Sequence, residues 1–286
     1  MKNKIIIRLI GGLGNQMFQY AAARALADEL DFDLLLDLRL FDNYKVHKYG
    51  LNKFRITAKI ADKNDLIWWP HIMRRPYEFL SMIGLPCRWY REKKKDVKHL
   101  SEINRSCLLD GYFQSEVYFQ SVYEKLKLEF IPQNKLSEKN LKILDKIKEH
   151  ESVMVHIRRG DYLSSPQNMI IHGLCDIGYY ETAYSLINNK INNPYFFIFS
   201  DDLNWARDNI LFGDNVTFVS GNDKYPEVDI YLMSQCKHHI IANSTFSWWG
   251  AWLSNNKNKI VIAPKKWFAS TEVSSDYIVP DRWLRI

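Results

Sequence analysis

Short apolar runs recur along the chain, and most are followed by a glycine or polar break and then by apolar residues at helical spacing. The first run, Ile5 to Ile10 with Arg8 inside it, meets Gly11-Gly12-Leu13-Gly14 and an Ala-rich stretch from Gln16 to Leu30. A second run, Phe32 to Leu38, follows. Apolar runs of about four to eight residues bounded by turn residues predict buried strands, and the stretch between them predicts a helix. That order predicts an opening βαβ unit whose crossover helix lays its alanine face on the sheet. Residues 43–110 mix basic, aromatic and proline positions without sustained periodicity, and short helices are the expectation there. Residues 116–129 and 136–149 have helical composition, and the second, highly charged, is expected to close the first domain.

The pattern then restarts. Strands are predicted at Val153 to Ile157, Tyr195 to Phe199, Val216 to Val219, His239 to Ile241 and Ile260 to Ala263. Helices are predicted at Tyr179 to Asn188, from Trp205 to Asn209, at Pro226 to Gln235 and at Ser247 to Leu253. Strands alternating with helices at this density predict a parallel, doubly wound sheet. The expected architecture is α/β, with two Rossmann-like domains, 1–150 and 151–286, facing each other across a cleft.

Composition narrows the class. A chain of 286 residues with 47% hydrophobic and 25% charged positions is an ordinary folded protein, which argues against disorder, collagen-like repeats or a membrane bundle. Aromatic content of 14%, with 9 Trp and 16 Tyr, is the departure. Core filling accounts for most of these rings, and some are candidates for stacking on sugar-like ligands.

The net charge of +6 is uneven: residues 1–150 hold 27 Lys and Arg against 19 Asp and Glu, residues 151–286 hold 12 against 14. The break supports a boundary near 150. Residues 68–98, with eight basic and three acidic groups around Trp68, Trp69 and Trp89, suit equally a solvated face and a surface for anionic lipid or nucleic acid. Cys87, Cys107, Cys175 and Cys236 form no C-x-x-C pair, so reduced thiols in a cytoplasmic protein are expected. The chain shows no signal peptide and no apolar stretch of about 18 residues, so any membrane contact is expected to be peripheral.

Four segments carry candidate chemistry. Gly11-Gly12-Leu13-Gly14-Asn15-Gln16 sits at a strand-to-helix junction, where glycines admit a ligand close to the backbone and the helix start favours an anion. It matches neither the dinucleotide nor the Walker pattern, and a tight turn without ligand is the alternative. His156-Ile157-Arg158-Arg159-Gly160-Asp161-Tyr162 leaves the carboxyl end of a strand, where open α/β sheets bind ligands. One arginine there suits a bidentate grip on phosphate, and an Arg159–Asp161 ion pair is the structural alternative for the other. Phe199-Ser200-Asp201-Asp202 offers acidic groups to a guanine edge, ribose hydroxyls or a metal, or caps a helix. Asn243-Ser244-Thr245-Phe246-Ser247-Trp248-Trp249-Gly250 reads as a helix cap and equally as a second phosphate cradle. Two helix starts, arginine and an acidic reader point to a nucleoside diphosphate joined to a transferable group, stabilised as it leaves.

In order and spacing across nearly the whole chain, these four segments, the first extended through Met17-Phe18-Gln19-Tyr20-Ala21, resemble the motif set of bacterial α-1,2-fucosyltransferases. The resemblance implies a GT-B fold, GDP-β-L-fucose as donor, inversion at the anomeric carbon, and no metal or other cofactor. It also implies a terminal galactose hydroxyl as acceptor, in an oligosaccharide, a lipid-linked glycan of an O-antigen or capsule repeat, or a lactose-type sugar. Nucleic acid drops out as a partner, and the basic half becomes a candidate acceptor side with peripheral contact at the inner membrane surface.

Carried over by motif, Arg158 holds the donor diphosphate with His156 in support. Gly12, Gly14, Asn15 and Gln16 lie beside the donor, Ser200 and Asp202 read the nucleoside, and Asn243, Ser244 and Thr245 bind the phosphates. A general base must take the acceptor proton. Asp161 is the first candidate and His172 the next, with a mechanism lacking a dedicated base as the third course. The competing classes are a metal-dependent GT-A-type transferase using Asp201 and Asp202, and a non-catalytic sugar-binding module.

Overall fold

In a computed structural model of the chain, the described residues are 2–44, 46–66, 89–92, 99–160, 173–269 and 277–286. They divide into two units, Met1–Phe130 and Ile131–Ile286, each built on its own parallel sheet.

In the first unit, β1 (Lys4–Arg8) leads through the glycine turn into α1 (Leu13–Glu29) and returns as β2 (Asp33–Asp37). The helix can lie close on the sheet because Ala21, Ala22, Ala23, Ala25 and Ala27 form much of its buried surface. β3 (Lys59–Ile60), α2 (Lys63–Leu66), β4 (Trp89–Arg91), β5 (Cys107–Asp110) and α3 (Tyr123–Glu129) follow, giving a sheet ordered β3-β2-β1-β5-β4. Strand order reverses between β1 and β5, where Ile5, Ile6 and Ile7 pair with Cys107, Leu108 and Leu109. That junction is the topological switch point, and ligands of such sheets bind at the carboxyl ends of the strands beside it.

Short 3-10 turns at Leu51–Lys53 and His99–Glu102, with α2, match the helices expected within 43–110 only in part. The same segment also holds β3, β4 and the interior strand β5. Trp89, a candidate for sugar or membrane contact, instead sits in β4, packs on the cluster of Ile6, Leu35 and Leu108, and lies under the Arg8 guanidinium at 5.6 Å. Trp68 and Trp69 lie outside the described residues.

In the second unit the elements are α4 (Glu138–Glu149), β6 (Glu151–Ile157), α5 (Ile177–Lys190), β7 (Pro194–Ser200), α6 (Leu203–Asn209), β8 (Val216–Phe218), α7 (Pro226–Gln235), β9 (His238–Ile240), α8 (Thr245–Trp252), β10 (Val261–Ala263) and β11 (Leu284–Arg285). The sheet runs β11-β10-β9-β6-β7-β8, all parallel, with its switch point between β6 and β9. One face buries Val153, Val155, Ile157, Phe196, Ile198 and Ile240 against Tyr180, Ala183 and Ile187 of α5. Trp248, Trp249 and Trp252 are buried; the Trp248 indole donates to the Ile278 carbonyl at 2.8 Å and stacks on Trp252. Gly250 is required there, since a Cβ would stand 2.6 Å from Met233 Cβ.

The boundary falls twenty residues before 150, because α4 belongs with the second sheet. Its inner face buries Ile143, Leu144 and Ile147; Asn140 exchanges hydrogen bonds with Asn222 at 2.9 and 3.2 Å; and Lys146 reaches the Tyr195 hydroxyl at 2.6 Å. The charge that suggested a domain end is the outer face of this amphipathic helix. No helix among the described residues is long and apolar enough to cross a membrane.

Candidate functional site

At the second switch point, β6 delivers Arg158 and Arg159 while β9 delivers Asn243, Ser244 and the start of α8. The neighbouring β7 ends in Ser200, Asp201 and Asp202. Asp201 organises the loop after β6. Its carboxylate takes the Arg159 amide at 2.8 Å, the Gly160 amide at 3.0 Å and the Arg158 guanidinium at 3.1 Å. Gly160 suits this close approach, since a Cβ would stand 3.2 Å from an Asp201 oxygen. Arg158 keeps about a quarter of its side chain exposed, so it is aimed but not enclosed. The Arg159 guanidinium carbon stands over the Trp205 ring at 3.7 Å from its centroid, with Asp202 at 3.8 Å. Asp202 accepts from the Trp205 amide at 3.1 Å and so caps α6, while its own amide donates to Ser200 Oγ at 2.9 Å.

Beneath this surface His156 is buried, with Nδ1 lacking a hydrogen-bond partner and its ring 5.7 Å from that of Phe246. Burial first, and then the Arg158 charge, push its pKa down to about 3 against a smaller opposing pull from Asp201. The ring is neutral at physiological pH and adds no charge beside Arg158. Ser244 accepts from the Phe246 amide at 3.3 Å as the cap of α8. Asn243 is buried and donates to the Gly173 and Trp267 carbonyls at 3.4 and 3.3 Å. Thr245, half-buried, opens the helix.

At the first switch point, Gly11 adopts φ +87° and the turn leads into α1. Gln16 is wholly buried: its amide nitrogen donates to the Gly11 and Lys48 carbonyls at 2.8 and 2.9 Å, and its oxygen accepts from the Gly50 amide at 2.9 Å. Asn15 accepts from Gln114 at 2.9 Å. Arg8 joins the ends of three strands, reaching Asp37 at 3.3 Å and Asp110 at 3.6 Å. Burial alone would raise the Asp37 carboxyl, but Arg39 at 2.8 Å and Arg8 outweigh it and hold it below the usual range.

The profile of Glycosyl transferase family 11 matches residues 1–286. The chain belongs to this family. It is 40% identical over 289 residues to an alpha-1,2-colitosyltransferase of Escherichia coli, covering 99% of this chain and 98% of that protein. It is 32% identical over 306 residues to the O-antigen biosynthesis glycosyltransferase WbnK of Escherichia coli, covering 97% and 99%. Against the galactoside alpha-(1,2)-fucosyltransferase 1 of Mus musculus the identity is 28% over 265 residues, covering 85% and 62%. Among solved structures, the fucosyltransferase NodZ from Bradyrhizobium superposes with TM-score 0.52 at 15% identity, covering 89% of this chain and 93% of that one. Arabidopsis thaliana FUT1 in complex with GDP gives TM-score 0.56 at 11% identity, covering 98% and 76%. The family 11 protein is a glycosyltransferase of the GT-B fold, which sets aside both a GT-A enzyme and a non-catalytic sugar-binding module.

Several expectations about this transferase's residues change. Gln16, expected beside the donor, is consumed by backbone bonds, and Asp202 serves first as a helix cap. Arg158 is ion-paired with Asp201, whose carboxylate is shared with two amides. Asp161 and His172 lie outside the described residues. Among the described residues no group of three His, Cys, Asp or Glu side chains is arranged to hold a metal ion.

One candidate escaped the motif reading. Asp229, in the first turns of α7, accepts from Asn222 at 2.7 Å, and its carboxyl is pushed up to about 6 by burial, against the Asn222 bond, with Asp223 and Glu227 adding to the rise. The carboxyl-edge loop before α7 places it on the ligand side of the sheet. The available signal was an acid inside the otherwise apolar run Val228 to Met233.

Proposed function

We propose that this family 11 transferase is an inverting galactoside α-1,2-L-fucosyltransferase. It takes GDP-β-L-fucose as donor and the 2-hydroxyl of a terminal galactose, in an oligosaccharide or lipid-linked glycan, as acceptor. The observation that carries the reading is Arg158, aimed by Asp201 at a switch point whose other flank is the start of α8. As the bond from fucose C1 to GDP breaks, the electron pair and growing charge pass to the diphosphate. A guanidinium and a helix start stabilise that charge more than they stabilise the intact donor. Ser244, Thr245 and Asn243 are the proposed phosphate-side contacts, and Ser200, Asp202 and Asp229 the nucleoside-side ones. The acceptor oxygen attacks C1 from the face opposite GDP, and its proton passes to Asp161 or, failing that, His172. No metal takes part in this scheme, so full activity is expected with excess chelator.

The 40% identity to a colitosyltransferase favours a second donor, GDP-colitose, which differs from GDP-fucose by lacking the 3-hydroxyl. Incubation with each donor and a panel of galactose-terminated acceptors, with NMR analysis of the product linkage, tests both readings. An α-1,2-fucosyl product with GDP release is expected, and the larger kcat/KM of the two donors decides between them. Absence of product with either donor, or linkage to another hydroxyl, overturns the proposal. Asp161→Asn is expected to abolish transfer while GDP affinity holds; normal turnover would move the base to His172.

A further inference from the structure

Two loops crown the carboxyl edge of the first sheet, and each is held by a polar side chain bonded to its backbone, the buried Gln16 and the half-buried Glu92. Residues 46–50 are pinned by Gln16, whose amide nitrogen donates to the Lys48 carbonyl and whose amide oxygen accepts from the Gly50 amide. The loop thereby sets the His47 ring 3.6 Å from the place a Gly12 Cβ would occupy, with the Tyr44 ring 6.1 Å from His47. Residues 111–114 are pinned by Glu92, which accepts from the Tyr112 amide at 2.7 Å and the Phe113 amide at 3.0 Å. Gly111 is obligatory beside it, since a Cβ would stand 2.4 Å from Glu92 Cβ. Phe113 adopts φ +51° and buries its ring edge-on to Tyr118 at 5.4 Å. A non-glycine residue held in this conformation is strained, and such strain concentrates where side chains must be presented in a set position. What this loop presents is Tyr112, 45% exposed, and Gln114, which bonds to Asn15 across the glycine turn.

We propose that Tyr44, His47 and Tyr112, with the Asn15–Gln114 amide pair, form the binding site for the acceptor's galactose ring. The inference rests on the transferase reading above and adds to it the residues of the first unit that recognise the acceptor. Galactose has one face of C–H groups and a rim of hydroxyls. Aromatic rings suit the face, and amides, each donor and acceptor at once, suit the rim. The neighbouring charges are spent on one another, Arg8 and Arg39 with Asp37 and Asp110, so the edge suits a neutral sugar better than a phosphate. Gln16 and Glu92 are positioning residues for this site.

Kinetics with lactose as acceptor test the site. Tyr44→Ala and Tyr112→Ala are each expected to raise the lactose KM at least fivefold, with donor KM and kcat at saturating lactose within twofold of wild type. Tyr112→Phe, which keeps the ring, should restore the KM. An unchanged lactose KM in both alanine variants, or a matching rise in donor KM, would overturn the site. Saturation-transfer NMR of lactose with the donor omitted reads the site apart from the reaction. Signals on galactose protons that disappear in Tyr112→Ala support it even if neither donor is turned over, in which case the transferase reading alone fails. No lactose signal with wild type, or a signal unaffected by Tyr112→Ala, overturns the site while leaving the transfer assay to judge the reaction.

Discussion

The two switch points share a topology and differ in chemistry. At the second, the strand ends carry Arg158, Arg159, Asp201 and Asp202, in ion pairs that leave guanidinium surface exposed. At the first, charges are internal ties between strand ends, and the outward groups are tyrosine, histidine and amides. Net charge runs the other way. Residues 1–130 carry 22 Lys and Arg against 16 Asp and Glu, while residues 131–286 balance 17 against 17. The anion-binding candidate therefore sits in the neutral unit and the aromatic candidate in the basic one. Bulk charge describes solvated faces and long-range steering, whereas a ligand site depends on a few side chains whose direction is fixed by their neighbours.

The largest expected effect breaks the comparison at its charged end. Arg158→Ala removes the guanidinium proposed to face the leaving diphosphate and leaves Asp201 its two amide partners. Loss of about 3 kcal/mol of transition-state stabilisation, roughly a hundredfold in kcat/KM, follows from the cost of deleting such a donor. A calorimetric titration should show weaker GDP binding as well, while the lactose signal at the first unit stays unchanged. Unaltered GDP affinity would remove Arg158 from the donor site. Raising salt should sharpen the same contrast, increasing the donor KM and leaving the acceptor KM nearly constant.

A smaller effect is expected at the neutral end. Gln16→Leu keeps the volume but leaves the Gly50 amide and the Lys48 and Gly11 carbonyls short of a partner. Destabilisation of about 1–3 kcal/mol is expected by chemical denaturation, with the acceptor KM raised and GDP affinity within twofold of wild type. If GDP affinity fell instead, Gln16 would return to the donor contacts expected of it from its motif.

The second sheet was legible above all through its two inner strands β6 and β7, seven residues each and buried almost throughout, and through helical stretches that set off the shorter strands between them. The first βαβ unit was equally clear, since the glycine turn and alanine face mark both ends of the crossover. β5 was not, because Cys107 to Asp110 lies in a stretch without alternating helices to set it off, and its partner β1 is about a hundred residues away. The domain boundary was misplaced for a related reason: charge patterning reports the outer face of α4, while membership is decided by Asn140, Ile143 and Ile147 on the inner one. At the site, the motifs placed Arg158 and Ser244 on the strand ends and helix start where they lie. Motifs could not tell that Gln16 spends its amide on the 48–50 backbone, nor that Glu92 holds a strained loop, because those bonds join residues distant in sequence; the Asp202 cap, three residues from its partner, was among the alternatives the segment itself offered.

The smallest effect separates the two units by their response to acid. His156 sits at the second switch point facing Arg158 and Asp201, with a folded pKa of about 3 against the ordinary imidazole value of 6.5. Between those values the unfolded chain binds a proton that the folded chain refuses, so stability falls as pH drops through that window. His238 and His239, also lowered mainly by burial, act in the same direction. Asp229, raised to about 6, acts in the opposite one: its contribution is complete below about 3.8 and is lost as pH rises through 6. Asp37 in the first unit is lowered, so its contribution persists until pH falls below the ordinary carboxylate range. The second unit should therefore lose stability at pH values where the first does not. Denaturation curves from pH 7 to 4 should show His156→Gln flattening the slope by up to about 1.4 kcal/mol per pH unit. Asp229→Asn should steepen it between 4 and 6. A His156→Gln slope equal to that of wild type would mean that the imidazole takes up its proton in the folded state, and the neutral support beneath Arg158 would have to be given up.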